Sequence, residues 1–157
     1  RGWRSPCRRS GPNVKLLFTV TGFSFNGSGQ NAGMGFASLA PFDERALRGL
    51  DGFSHCVVIT LLDRAVWDEA RVLRRPRGNP DWPEVGVFAQ RVKDRPNRLG
   101  LTTCRVLAVD GAVLHVGGLD AVDGTPVLDV KPHIEEFGPR GEVHQPAWAT
   151  ELMAGYW

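Results

Sequence analysis

Leu101-Thr102-Thr103-Cys104-Arg105-Val106-Leu107-Ala108-Val109, then Asp110-Gly111, then Ala112-Val113-Leu114-His115-Val116-Gly117-Gly118 is the stretch that decides the fold. An Asp-Gly pair between two alternating apolar runs signals a β-hairpin, because both residues tolerate positive φ. Working outward, Val85 to Gln90 reads as a strand upstream. Downstream, Gly124-Thr125-Pro126 makes a tight turn before a strand at Val127 to Val130. Cys56 to Leu62 has the length and branching of a buried strand, Val14 to Phe25 the β-branched and aromatic bias of a first one, and Gly35 to Ala40 is short and strand-like. Helix signals are few. Asp43 to Leu50 has an acidic start and a late glycine, and Gln145-Pro146-Ala147 places proline at a helix start. Trp148, Leu152 and Tyr156 then form one apolar stripe, which would close a barrel or pack against a second subunit.

Many short strands, tight turns and two short helices predict a mainly β fold, a single closed or nearly closed β-barrel with short flanking helices. A doubly wound sheet would need long crossover helices. Gly27-Ser28-Gly29 follows the first strand but opens no helix, so the reading is non-Rossmann.

With 157 residues the chain can bury a core without staples. Its net charge of +2 is too small to mark a nucleic-acid binder, so any RNA argument rests on where the basic residues sit. Cys7, Cys56 and Cys104 are far apart and odd in number, which suits a reducing compartment and a cytoplasmic location and gives no zinc spacing. No apolar run reaches the roughly 18–20 residues of a membrane span. Residues 1–42 contain no acid, and Arg1, Arg4, Arg8, Arg9 and Lys15 make this region basic. Residues 1–13 read as a basic flexible arm or an expression remnant, an organellar transit segment being the other reading. Residues 14–157 form the domain. The arginines at 64, 71, 74, 75 and 77 are either a solvated surface or a phosphate-tracking flank.

Three segments resemble the TsaA-like (TrmO, YaeB) family of S-adenosylmethionine-dependent tRNA methyltransferases. They are Gly49-Leu50-Asp51-Gly52-Phe53-Ser54-His55; Gly86-Val87-Phe88-Ala89-Gln90-Arg91 with Arg95-Pro96-Asn97-Arg98-Leu99-Gly100; and Asp120 through Pro132. The resemblance implies a non-Rossmann β-barrel holding S-adenosyl-L-methionine in a homodimer, with no metal. It also implies methyl transfer to N6 of the threonylcarbamoyl-modified adenosine beside the anticodon of tRNA. Departures from the family pattern, Asp63, Gln90 and His133 together with a missing Pro-Arg-Gln motif, keep a small-molecule acceptor open. A non-catalytic S-adenosylmethionine-binding module is the third reading.

A sulfonium donor needs positioning, which loops with exposed backbone groups supply. Asp120, Ala121, Val122 and Asp123 are expected to form one wall, Asp123 being alternatively a turn residue. Gly100 and Leu101 let the chain approach the cofactor closely, unless Gly100 only relieves the start of a strand. Arg91, with its planar fork, is the candidate for a carboxylate or phosphate. Arg95 and Asn97 present donors across Pro96, Asp63 accepts from a ribose, and Arg64 meets an anion. Phe88, Gln90 and Thr125 complete the cofactor set within the matched segments. The catalytic candidates are His55, as proton acceptor, with Arg91 and Lys131; His55 is alternatively a half-buried structural histidine, and Lys131 an ion-pair partner of Asp129.

Overall fold

Buried and half-exposed side chains alternate without a break along His55–Leu61 (β3), so that Cys56, Val58 and Thr60 point into one core. In the computed structural model the described residues are 16–21 and 33–37, as backbone, and 43–156. The elements are β1 (Leu16–Thr21), β2 (Gly33–Ala37), β3, β4 (Leu73–Arg74), β5 (Val85–Gly86), β6 (Leu99–Asp110), β7 (Val113–Gly117), β8 (Val127–Pro132) and α1 (Ala147–Met153), with short 3-10 turns between them. The expected arm at 1–13 and the Gly27-Ser28-Gly29 turn lie outside the described residues.

Six strands form one sheet in the order β2-β1-β7-β6-β3-β8. Each pair is antiparallel except β1 with β7. The β6–β7 hairpin is present, but its two-residue loop is Gly111-Ala112, since Asp110 still pairs with Val113. Only Gly111 has positive φ there, at 57°, as a type II′ loop with glycine first requires. Val58 lies opposite Thr102 on one side and Val130 on the other, and Cys56 opposite Cys104. Period-two alternation thus brings Cys56, Val58, Cys104, Leu114, Val116 and Val127 to one face, where Leu47 and Leu119 complete the core. At about 25 cal/mol per Å² of apolar area, this layer is the main source of stability.

One expectation needs correction, and another is met only in its coarser form. Val85 to Gln90 is not one strand: only Val85–Gly86 pairs, with β4, and Val87–Ala89 coils into a 3-10 turn. The cause is Gln90, whose side-chain amide donates to the carbonyls of Arg74 (2.9 Å) and Val85 (3.0 Å), folding the run back on itself. No closed barrel is found among the described residues, because β2 and β8 are the two ends of the sheet and do not pair.

Candidate functional site

Leu119, 4% exposed, anchors the loop after β7 in the core and leaves the next residue, Asp120, half-buried and facing a cleft of about 1100 Å³. Across it, the Gln90 amide pins the turn that carries Arg91, and the Arg91 guanidinium donates to the carbonyl of Leu101 on β6. Gln90, Arg91, Leu101 and Asp120, from three segments, therefore line one cleft. Asp120 is the one acid among its lining residues, and Arg77 and Arg91 are its cations.

The far wall was not expected as part of the site. It consists of Gln145, Trp148, Ala149, Leu152 and the residues up to Tyr156. Two ties hold it: Trp82 Nε1 donates to Glu151 Oε2 at 2.8 Å, and the Arg77 guanidinium lies 5.7 Å from the centre of the Tyr156 ring. Tyr156 and Asp120 line the cleft together, close enough for the phenol to feel the carboxylate. Burial lifts the Tyr156 phenol above its usual value and the Asp120 charge lifts it further, while Arg77 and Arg91 pull it down. The Trp148, Leu152 and Tyr156 stripe was the signal for this wall; its spacing does not say what it faces.

The other sequence candidates fall into two groups. Loops 62–64, 95–98 and 122–126 meet at the end of β3, where Leu61 N donates to Pro126 O (2.9 Å) and Leu62 N to Arg98 O (2.7 Å). Asp63, Arg64, Asn97, Val122 and Asp123 are exposed there, and the Arg64 guanidinium reaches to the side of Gly124. Ala121 packs on the core, and Thr125 is 7% exposed with its N–H on Val122 O, closing the turn that contains Asp123. Arg95 donates to Gln90 O at 3.3 Å and lies 5.9 Å from the centre of the Phe88 ring, which is 73% exposed. Gly100 is explained by packing: a Cβ there would collide with Thr60 Oγ1 and reach Leu62 Cδ2 at 3.3 Å.

His55 and Lys131 do not line the cleft. His55 starts β3, roughly 20 Å of strand before the loops at its end. Its Nδ1 meets Ser54 Oγ at 2.9 Å, with the His133 ring 6.5 Å away. Lys131 Nζ pairs with Asp129 Oδ2 at 2.7 Å. Several arginines of the basic segment are committed internally as well. Arg75 donates to the carbonyls of Pro80 and Trp82, and Arg74 pairs with Asp94 at 3.7 Å. Asp94, which also accepts from Lys93, is held below the usual carboxylate range, by that bond first. Among the described residues no group of His, Cys, Asp and Glu could hold a metal, and no helix is long and apolar enough to cross a membrane.

The described residues form a mainly β, non-Rossmann domain that gathers an acid, two arginines and aromatic rings around one cleft. The family is settled by comparison: the model for the tRNA-methyltransferase O N-terminal domain matches residues 27–138, and the chain belongs to that family. It is 39% identical over 97 residues to a putative S-adenosylmethionine-dependent methyltransferase, RcsF, of Pseudomonas aeruginosa, covering 61% of this chain and 42% of that one. It is 36% identical over 101 residues to the tRNA (adenine(37)-N6)-methyltransferase of Escherichia coli, covering 61% and 43%. The chain thus spans less than half the length of these curated relatives. A crystal structure of TrmO from P. aeruginosa shares the fold, with a TM-score of 0.59 at 23% identity over 92% of this chain and 63% of that one.

Proposed function

We propose that this chain is the cofactor-binding and methyl-transferring part of an S-adenosylmethionine-dependent methyltransferase whose acceptor is N6 of threonylcarbamoyl-adenosine in tRNA. The single observation that carries the reading is the meeting of Arg91 and Asp120, from separate family-matched segments, on one cleft. The residues fit the cofactor. It carries a carboxylate, two positive centres and an adenine ring, and the cleft offers arginines, one carboxylate and aromatic walls in a volume at the upper end of small-ligand sites.

When bound, the cofactor supplies an electrophilic methyl group on a positive sulfur. The chain's own part is positional. Arg91 already spends one N–H on Leu101 O, which fixes the plane of its fork and leaves other donors for a carboxylate. Asp120, held on the Leu119 anchor, places negative charge where a cation docks. Holding donor and acceptor in line supplies several kcal/mol of barrier reduction without an acid or metal. Exposed Phe88 beside Arg95 gives an incoming nucleotide a ring and a cation at the rim.

The homodimer belongs to the same proposal. On the sheet face opposite the core, Leu99 and Leu101 are 46% and 48% exposed and lie across from Leu61 and Ile59, an apolar strip suited to a second copy. Barrel closure, a domain spanning 14–157 and a cytoplasmic location are carried with it as proposals. The test is transfer of labelled methyl from S-adenosylmethionine to tRNA that carries threonylcarbamoyl-adenosine without the methyl. Incorporation at that nucleoside supports the reading. Cofactor binding with no incorporation would move the acceptor to a small molecule or leave a binding module.

A further inference from the structure

Residues 145–156 follow the family-matched region, yet they return from an exposed stretch at 139–146 to form a whole wall of the cleft. The return is built, not incidental. α1 is only seven residues long, below the roughly 12–15 at which an isolated helix becomes stable, so it depends on what it touches. The Trp82–Glu151 hydrogen bond fixes its middle. After it ends, Gly155 takes φ 70°, a conformation that favours glycine, and Tyr156 follows it in the lining of the cleft with Asp120. From the other side, Arg77 adopts φ 49°, one of two non-glycine residues at positive φ among the described residues, and lies over the Tyr156 ring. A bulky residue held in that region marks a spot the surroundings over-determine.

Trp148 and Tyr156 are only half-buried, so ring surface remains turned to the cleft. Tyr156 lies beside the cleft's single carboxylate, whose two oxygens can accept from more than one donor. Resting on the reading above, we infer that this C-terminal segment is part of the S-adenosylmethionine site. Trp148 supplies the surface on which the adenine ring stacks, and Tyr156 is a positioning residue whose hydroxyl orients Asp120 toward the cation of the ligand.

The experiment is calorimetric titration of the full chain with S-adenosylmethionine, in the wild type and in Trp148→Ala, Trp148→Phe, Tyr156→Phe, Asp120→Asn and Tyr156→Phe/Asp120→Asn, with near-UV circular dichroism as the check on folding. Trp148→Ala should weaken binding tenfold or more, and Trp148→Phe, which restores a ring, should recover it to within about threefold. Tyr156→Phe should weaken binding three- to tenfold in the wild type and leave it unchanged in the Asp120→Asn background, since its effect passes through that carboxylate. A structural role alone would not vanish in that background. If the wild type binds and both Trp148→Ala and Tyr156→Phe stay within twofold of it, the segment is no part of the site and the cofactor reading survives alone. Should Trp148→Ala fail to fold, the Tyr156–Asp120 cycle decides. A wild type that binds no S-adenosylmethionine overturns both readings together.

Discussion

Gly100→Ala puts the packing of the two central strands to a quantitative test. Gly100 is the direct partner of Thr60, which is 2% exposed, and an added Cβ would collide with Thr60 Oγ1 while Leu62 Cδ2 stands at 3.3 Å. Thr60 is buried and cannot swing its hydroxyl into solvent, whereas the half-exposed Leu62 can yield. Overpacking of this kind costs about 1–3 kcal/mol. Replacing a glycine recovers about 0.4–1 kcal/mol through the unfolded chain, so the net loss should be about 0–2.6 kcal/mol. Urea unfolding reads it as a lower midpoint at constant slope. The cause is separable: Thr60→Ala removes the clashing oxygen, so the double variant should be more stable than the sum of the single effects by about 1 kcal/mol or more. S-adenosylmethionine affinity should stay within twofold, since Gly100 does not line the cleft. A Gly100→Ala protein more stable than the wild type, or strictly additive effects in the double variant, would refute the steric argument.

Burial pushes the thiols of Cys56 and Cys104 up to about 11 and about 12, so in a Cys7→Ser background neither should react with a thiol reagent at pH 8 until the protein unfolds. Their folded values lie above the unfolded one. The stability they contribute is therefore full below about pH 9 and is lost as pH rises toward 11–12, which alkaline melts would show. Gln90→Leu removes the amide donor shared by the carbonyls of Arg74 and Val85 and should cost about 1–3 kcal/mol, read by thermal unfolding, and it should weaken cofactor binding by loosening Arg91. Trp82→Phe removes the bond to Glu151; amide exchange should quicken in residues 147–153 while β3 and β6 stay protected.

Most of the sheet was legible because its signals are local. The length and branching of Cys56–Leu62 and the Asp-Gly pair name strands and a turn without reference to distant residues, and β3, β6 and β7 lie within two residues of their expected limits. The Val85–Gln90 run misled because β-branched residues favour a strand, whereas a side-chain amide sixteen residues from Arg74 folded the run back. Barrel closure was equally out of reach, since strand order is a property of pairing partners and not of any one strand. In the candidate site, the sequence grouped Gln90, Arg91, Leu101 and Asp120, and the structure brings these four to one cleft. Trp148 and Tyr156 could not be grouped with them, because a four-residue apolar period reports that a face is covered and is silent on what covers it. His55 and Lys131 have the right chemistry for proton transfer or anion binding, but a strand direction places them away from the cleft.

The central claim is that S-adenosylmethionine is gripped between the Arg91 turn and the Asp120 loop without a Rossmann sheet. The most direct measurement is calorimetric titration of the cofactor into the wild type, Arg91→Ala and Asp120→Asn, each shown to be folded. Saturable binding by the wild type and at least a tenfold loss in each variant is the predicted result. Equal affinity in all three would contradict the placement of the site.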